Sequence, residues 1–358
     1  MTKFARMFLV WALVLAVVPA AAQQTTGSII GRVVDSQGAP VAGAAVAARS
    51  SDTGFTRETT SDDNGVYRLL ALPVGRYDVS AERTGMARFD RPGIIVNVSQ
   101  TTDVDIVLRL ATLAETVVVT ARIPLISTFS SSVGQIVDTT RIEQLPLNGR
   151  QFASLAATVP GVGLGFHSDV TKLSQLTPQI SGGNGRNVNF IVDGGDNNDD
   201  TVGGLLQLFP LEAIQEFNVI TQRANAEYGR SGAAVLNVVT RSGTNQVRGS
   251  WFTLLRDDRL NSQPFSEVLQ GIDKQVYRRY QFGGSVGGPL VLDRVHYFAA
   301  FERTQQDTRQ VVNTLGVFPA EDGVFDVSFR ENLFTTKLTM TPSVDHYIAL
   351  RYAHDSNS

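Results

Sequence analysis

The sequence predicts a mainly β protein: a small β-sandwich, then an α+β domain, then the first strands of a transmembrane β-barrel. Three observations carry this. In the first third, short β-branched and aromatic runs alternate with Gly, Pro, Asn and Asp turn signals, the spacing of a sandwich. The middle third mixes such runs with short capped helical stretches. The last third alternates apolar and polar residues with a period of two, the pattern of barrel strands that face lipid on one side.

Composition narrows the function. The chain has 358 residues, room for two or three cored domains, and a formal net charge of −3. No Lys/Arg-rich run stands out, so no nucleic-acid surface is expected. With no cysteine, disulfides, thiolate metal sites and cysteine nucleophiles are excluded. The histidines are His167, His296, His346 and His354. None belongs to a His-Glu-x-x-His arrangement, so a zinc hydrolase is not expected. No cofactor is called for, and no catalytic residue is assigned.

Residues 1–22 read as a secretion signal. Lys3 and Arg6 precede an apolar run over 7–18, Pro19 breaks it, and Ala20, Ala21 and Ala22 supply a small-residue exit. The run is shorter than the ~20 residues a bilayer-spanning helix needs. Cleavage after Ala22 places the mature chain outside the cytoplasm.

Residues 27–110 carry the sandwich. Strands are expected over 28–34, 44–48, 66–70, 77–81, 94–98 and 104–108. Asp62, Asp63, Asn64 and Gly65 read as a hairpin turn, since Asn-Gly suits positive φ. Calcium at this cluster is disfavoured, because an oxygen cage takes about six or more ligands. The runs Gly31-Arg32-Val33-Val34-Asp35, Gly38-Ala39-Pro40-Val41-Ala42-Gly43-Ala44, Asp63-Asn64-Gly65-Val66-Tyr67 and Leu72-Pro73-Val74-Gly75-Arg76-Tyr77 resemble the carboxypeptidase regulatory-like domain. That resemblance implies a transthyretin-like sandwich of the carbohydrate-binding-like group. Fold alone assigns no sugar.

Next come Glu115, Thr116, Val117, Val118, Val119, Thr120 and Ala121. This β-branched run favours extended backbone. No turn signal folds it into a hairpin. On residue type it is either the last strand of the sandwich or a strand offered to another chain by β-augmentation.

Over 122–245 an α+β domain is expected. Short helices are read at 140–145, capped by Thr140, at 151–157 and at 210–216. Strands are read at 188–192, 217–220 and 233–240. Asp193, Asp196, Asn197 and Asn198 fall in an acidic loop, either a solvated turn or a loop facing a ligand. Leu145-Pro146-Leu147-Asn148-Gly149-Arg150, Phe190-Ile191-Val192-Asp193-Gly194, Ala226-Glu227-Tyr228-Gly229-Arg230 and Asn237-Val238-Val239-Thr240-Arg241-Ser242-Gly243-Thr244-Asn245 resemble the plug of Oar-like TonB-dependent outer-membrane transporters. The resemblance implies that Glu115 to Ala121 are the TonB box, which pairs with the periplasmic protein TonB and its inner-membrane energising complex. It also implies that Arg150, Arg186, Arg230 and Arg241 can meet carboxylates of the barrel wall.

From 246 to 358 the barrel begins. Strands are expected at 247–256, 277–287, 295–305, 331–341 and 346–354, with long and short links alternating as extracellular loops and periplasmic turns do. A plugged barrel of this kind takes about 22 strands, and an open edge cannot face lipid. The chain is therefore expected to be the N-terminal piece of a longer protein. The function implied is uptake of an unidentified extracellular ligand across an outer membrane, with lipid around the barrel. The alternative is a secreted binding protein that transports nothing.

Overall fold

The computed structural model describes residues 25–110, 117–118, 131–166, 176–180, 182–183, 185–229, 232–263, 265–271, 273–312, 314–344 and 346–358. Residues 1–22 lie outside the described residues, as do Glu115, Thr116, Val119, Thr120, Ala121 and Arg230.

The sandwich is built from β1 (Thr26–Asp35), β2 (Ala45–Ser50), β3 (Thr56–Thr60), β4 (Val66–Pro73), β5 (Gly75–Glu82), β6 (Phe89–Val96), β7 (Thr101–Asp103) and β8 (Ile106–Leu108). A short β9 (Val117–Val118) completes it. In one sheet β4 pairs antiparallel to β1, which also takes β7 and β8 in parallel; the other runs β3-β2-β5-β6-β9. Alternate residues of both sheets meet in one core, including Ile29, Val33, Leu69, Val46, Val79, Val96 and Ile106. The Tyr67 hydroxyl donates to the Val104 carbonyl at 2.6 Å, which satisfies the phenol inside that core.

The turn at Asp62 to Gly65 forms, but not as a hairpin. Asn64 N and Val66 N each donate to Asp62 Oδ1 at 2.9 Å. The turn carries the chain from β3 in one sheet to β4 in the other. Gly65, at φ +76°, passes so close to Val33 that a Cβ would stand 2.4 Å from its carbonyl oxygen. β3 has no apolar alternation to betray it. It is a polar strand at the sheet's margin, where charge guards an exposed edge.

The second domain holds β10 (Val133–Val137), helix α1 (Thr139–Gln144), a 3₁₀ stretch (Phe152–Thr158), and the hairpin β11 (Val162–Phe166) and β12 (Leu176–Ile180). Then come β13 (Val188–Val192), β14 (Gly195–Asp196), β15 (Ile214–Gln222) and β16 (Ala234–Thr240). Its main sheet runs β10-β15-β16-β13-β14. The cap of α1 is Asp138, not Thr140: the Asp138 carboxylate accepts from Arg141 N at 2.9 Å. The helix expected at 210–216 is only a 3₁₀ turn over Leu211–Ala213. From Ile214 on, the chain is claimed by two neighbours, β10 and β16. Tertiary pairing overrides local propensity there.

The central strands of that sheet, β15, β16 and β13, are buried on both faces. Phe190, Val192, Phe217, Val219, Leu236 and Val238 pack with Ile142, Phe152 and Leu155 in the larger core. The other face carries Ile191, Ile220 and Val235 around Tyr228, together with the buried polar residues Glu216, Asn218 and Asn237.

The wall is an antiparallel meander of β17 (Arg248–Asp257), β18 (Tyr277–Val291), β19 (Val295–Val312), β20 (Gly323–Ser343) and β21 (His346–Asn357). A short helix α2 (Phe265–Gln270) lies in the first long link. The alternation is as expected. Trp251, Tyr280, Val286, Phe301, Phe334, Ile348, Leu350 and Tyr352 are exposed. Gln281, His296, Glu302, Thr304, Thr335, Lys337 and Thr339 are buried on the opposite face, under the second domain. Trp251, Phe282 and Phe301 form a tilted aromatic row on the outer face, with centroids 6.3 and 6.5 Å apart. An apolar outer band with polar residues inside is what a lipid-facing wall requires.

Candidate functional site

Two ion-pair clusters fix the plug-like domain to the wall, and a polar seat fixes the sandwich beneath it.

The first cluster grows from the Leu147-Asn148-Gly149-Arg150 turn. Gly149 and Arg150 both take positive φ, at 86° and 57°. This bend sends Arg150 between β17 and β19. Arg150 Nε donates to Glu302 Oε2 at 3.3 Å, and its Nη2 donates to Glu212 Oε2. The guanidinium also lies 3.8 Å from the ring centroid of Phe252. The Arg150 and Glu302 side chains are 12% and 3% exposed, so the pair is shielded from salt and water. Beside them Asn148 Oδ1 accepts from Arg279 Nη2 at 2.7 Å and Arg256 Nη1 at 3.2 Å.

The second cluster centres on Asp193, at φ +48°. Its carboxylate, placed by the sequence in a loop that is either a solvated turn or ligand-facing, is engaged here by the plug and the wall. Oδ1 accepts from Thr240 N at 2.9 Å and from Lys337 Nζ at 3.2 Å. Oδ2 accepts from the Thr240 hydroxyl and stands 3.4 Å from Arg351 Nε. Lys337 Nζ also donates to the Thr240 carbonyl at 3.0 Å, and Arg351 Nη2 to the Val192 carbonyl at 3.2 Å. The rest of the acidic loop separates from this cluster. Asn197 is buried and exchanges hydrogen bonds with the Gln207 backbone, while Asn198 braces Asn189 and Phe190. Asp196 stays exposed.

The Arg241-to-Asn245 run ends the domain at the short-turn end of the wall. Gly243 runs against the wall so closely that a Cβ would stand 2.2 Å from the Tyr297 carbonyl oxygen. Asn245 ties three bodies together. Its N donates to the Asp52 carbonyl of the sandwich at 2.8 Å, its Nδ2 to Asp293 Oδ1 at 2.7 Å, and its Oδ1 accepts from Asp293 N at 2.8 Å.

The sandwich meets the polar face of the plug sheet. Ser99 Oγ accepts from Tyr228 Oη at 2.6 Å and from Asn237 Nδ2 at 2.8 Å. Val98 N donates to Glu216 Oε1 at 2.6 Å. Phe55 stands edge-on to Tyr347 of the wall at 6.0 Å. A groove of about 800 Å³ runs beside this seat, lined by Asn97, Thr101, Gly134 and Glu216 among others.

Burial pushes the Glu216 carboxyl up to about 7, with the Asp138 charge adding and the Val98 amide opposing. A freely solvated glutamate titrates near 4.5, so the seated state binds the proton more tightly. Below that pH the seat carries no penalty. As pH rises from about 4.5 to about 7 the buried carboxylate must ionise and the seat weakens, by at most about 3 kcal/mol, the value reached when unseating returns the carboxyl fully to water; above that range the loss is constant. Glu216→Gln is expected to flatten this dependence, measured as the pH profile of hydrogen exchange at the sandwich–plug seat. A profile unchanged by the substitution overturns the assignment.

Of the arginines singled out in the sequence, Arg150 meets the wall, whereas Arg241 pairs with Glu143 of α1 at 2.5 Å. Lys337 and Arg351 were not anticipated as partners. Their inward placement follows from strand alternation, but the carboxylate that they share comes from a distant turn.

Comparison with known proteins agrees with this arrangement. Residues 28–109 match the carboxypeptidase regulatory-like domain, residues 127–236 the TonB-dependent receptor plug domain, and residues 239–349 the outer membrane beta barrel domain. The TonB-dependent transporter Oar of Myxococcus xanthus is 30% identical over 295 residues, 78% of this chain and 27% of that relative. The chain thus spans about a quarter of the length of the curated relative it matches. Among solved structures, the outer membrane transporter YddB from Escherichia coli is 17% identical, with a TM-score of 0.46 over 63% of this chain and 33% of that one. The siderophore receptor PirA from Acinetobacter baumannii is 18% identical, with a TM-score of 0.44 over 63% and 32%. With a regulatory-like sandwich, a plug and barrel strands in that order, the chain has the domain order of an Oar-like TonB-dependent receptor of the outer membrane.

Proposed function

We propose that this chain supplies the periplasmic sandwich (27–110), the plug (122–245) and the first wall strands (from 246) of a transporter that takes up an extracellular ligand across the outer membrane. The supporting observation is the way the plug is held. Its seat on the wall is led by ion pairs and polar contacts at Arg150, Glu302, Asp193, Lys337 and Arg351, beside apolar contacts of Ala213 on Phe298 and Ala300 and of Leu333 and Ala353 on the plug core. Polar seats can open and re-form without exposing a large apolar surface to water. Glu115, Thr116, Val117, Val118, Val119, Thr120 and Ala121 form the TonB box, the strand through which TonB and its energising complex act on the plug. The wall's exposed aromatic face favours lipid around the protein over the reading of a secreted binding protein. No chemistry is performed on the ligand.

The test is deletion of 115–121 in the full-length protein, with binding of TonB's purified periplasmic domain to the detergent-solubilised protein as the readout. Loss of binding by at least tenfold, about 1.4 kcal/mol, is expected. Undiminished binding sinks the assignment of the TonB box.

A further inference from the structure

Among the described residues of that segment, Val117 and Val118 are already in a sheet. They run parallel to β6 at the margin of the sandwich, Val117 beside Phe89 and Val118 beside Asp90. β6 is itself anchored. It pairs along its length with β5, and its chain continues from Val96 into the 97–100 turn. That turn is the one whose Val98 and Ser99 are bonded to Glu216, Tyr228 and Asn237 of the plug. Ser99 takes φ +57° to make the turn, and its N donates to the Thr26 carbonyl at 3.1 Å, which adds β1 to the anchorage. While the sandwich sits on the plug, β6 cannot follow Val117 and Val118 if they leave. The two must part.

We infer that the sandwich is a holder for this strand. Seated on the plug, it keeps Val117–Val118 as the last strand of its own sheet, and an incoming partner strand gains access only when the pair leaves β6. Among the described residues the held contact spans the register positions Phe89–Val117 and Asp90–Val118. β6 and an incoming partner strand compete for the same segment, and the hold is specific to the β6 edge.

This rests on the reading of 115–121 as the strand that TonB takes. The experiment separates the two claims. These 358 residues have no cysteine; with any cysteine of the remaining chain replaced by serine, an engineered pair is unambiguous. Adjacent strands lie about 4.8 Å apart, within disulfide reach. In the purified full-length protein in detergent, Asp90→Cys with Val118→Cys is oxidised, and binding of TonB's purified periplasmic domain is measured before and after reduction with dithiothreitol. Ala45→Cys with Thr60→Cys, a register pair of β2 and β3, is the positive control. The expected result is a 90–118 disulfide in yield comparable to the control. Binding should be at least tenfold weaker when oxidised and restored on reduction. A control that cross-links while 90–118 does not overturns the holder. So does a locked protein that binds as well as the reduced one, because the partner strand then adds without displacement. If the reduced pair and the wild type both fail to bind, the TonB-box reading and the holder fall together.

Discussion

Arg150→Ala is expected to loosen the plug from the wall by about 3–5 kcal/mol, the cost of leaving a buried charge without its partner. The Glu302 side chain is 3% exposed and Glu212 is 19% exposed. Without the guanidinium two carboxylates face one another with little water to separate them. The substitution also removes a cation from the face of Phe252, worth about 0.5–2 kcal/mol. Hydrogen exchange of β15 and β16 amides in the full-length protein reads the seating directly. Removing both ends, as Arg150→Met with Glu302→Met, should cost clearly less than the sum of the two single changes, since of the three charges only the partly exposed Glu212 is then left without its partner. Additive losses would mean that the two residues do not act as a pair.

Asp193→Asn should have an effect of similar size, about 3–5 kcal/mol, at the other end of the plug. Asparagine tolerates the left-handed backbone of this position, and its carbonyl can still accept from Thr240 N. What it removes is the one charge shared by Lys337 and Arg351. The two cations are left together beneath the plug, with side chains 6% and 23% exposed. The loss should persist in 0.5 M salt, because buried pairs are screened far less than surface ones. The check is protection of the plug from limited proteolysis at low and high salt. An effect that salt abolishes would place the pair at the surface. No loss of protection at either salt concentration would show that Asp193 does not fasten the plug.

The wall was the most legible part of the sequence, because lipid imposes a two-residue period that nothing else in the chain needs. Gln281 and Lys337 fall on the inner face and Phe282 and Leu350 on the outer one, as the alternation requires. The upper ends of β19 and β20 were missed for the same reason. Beyond the lipid the two strands are joined by Arg309–Asp326 at 2.9 Å and Arg330–Asp307 at 2.6 Å, and charge pairs leave no apolar rhythm to read. In the plug, Val188–Val192 and Ala234–Thr240 announced themselves as apolar runs. The edge strand β10 of the same sheet is short and half-exposed, with no apolar run to announce it. The two clusters were hidden for a different reason. Arg150 lies 152 residues from Glu302, and Lys337 lies 144 residues from Asp193. No local pattern specifies a partner at that separation. Only the positive φ at Arg150 and Asp193 marks them as special, and that property belongs to the folded backbone.

The order of strands in the plug sheet also sets how it answers a mechanical load. The chain enters the plug at β10, which is the sheet's outermost strand and has one neighbour, β15. Tension arriving from the N-terminal side therefore falls first on five residues held along one edge. Such a strand comes away one hydrogen bond after another, each small by itself. β16 is gripped from both sides by β15 and β13, and the Asp193 cluster clasps its far end at Thr240. Dislodging it means breaking many bonds at once. Under a load that enters at β10, this margin of the sheet is expected to part before its centre.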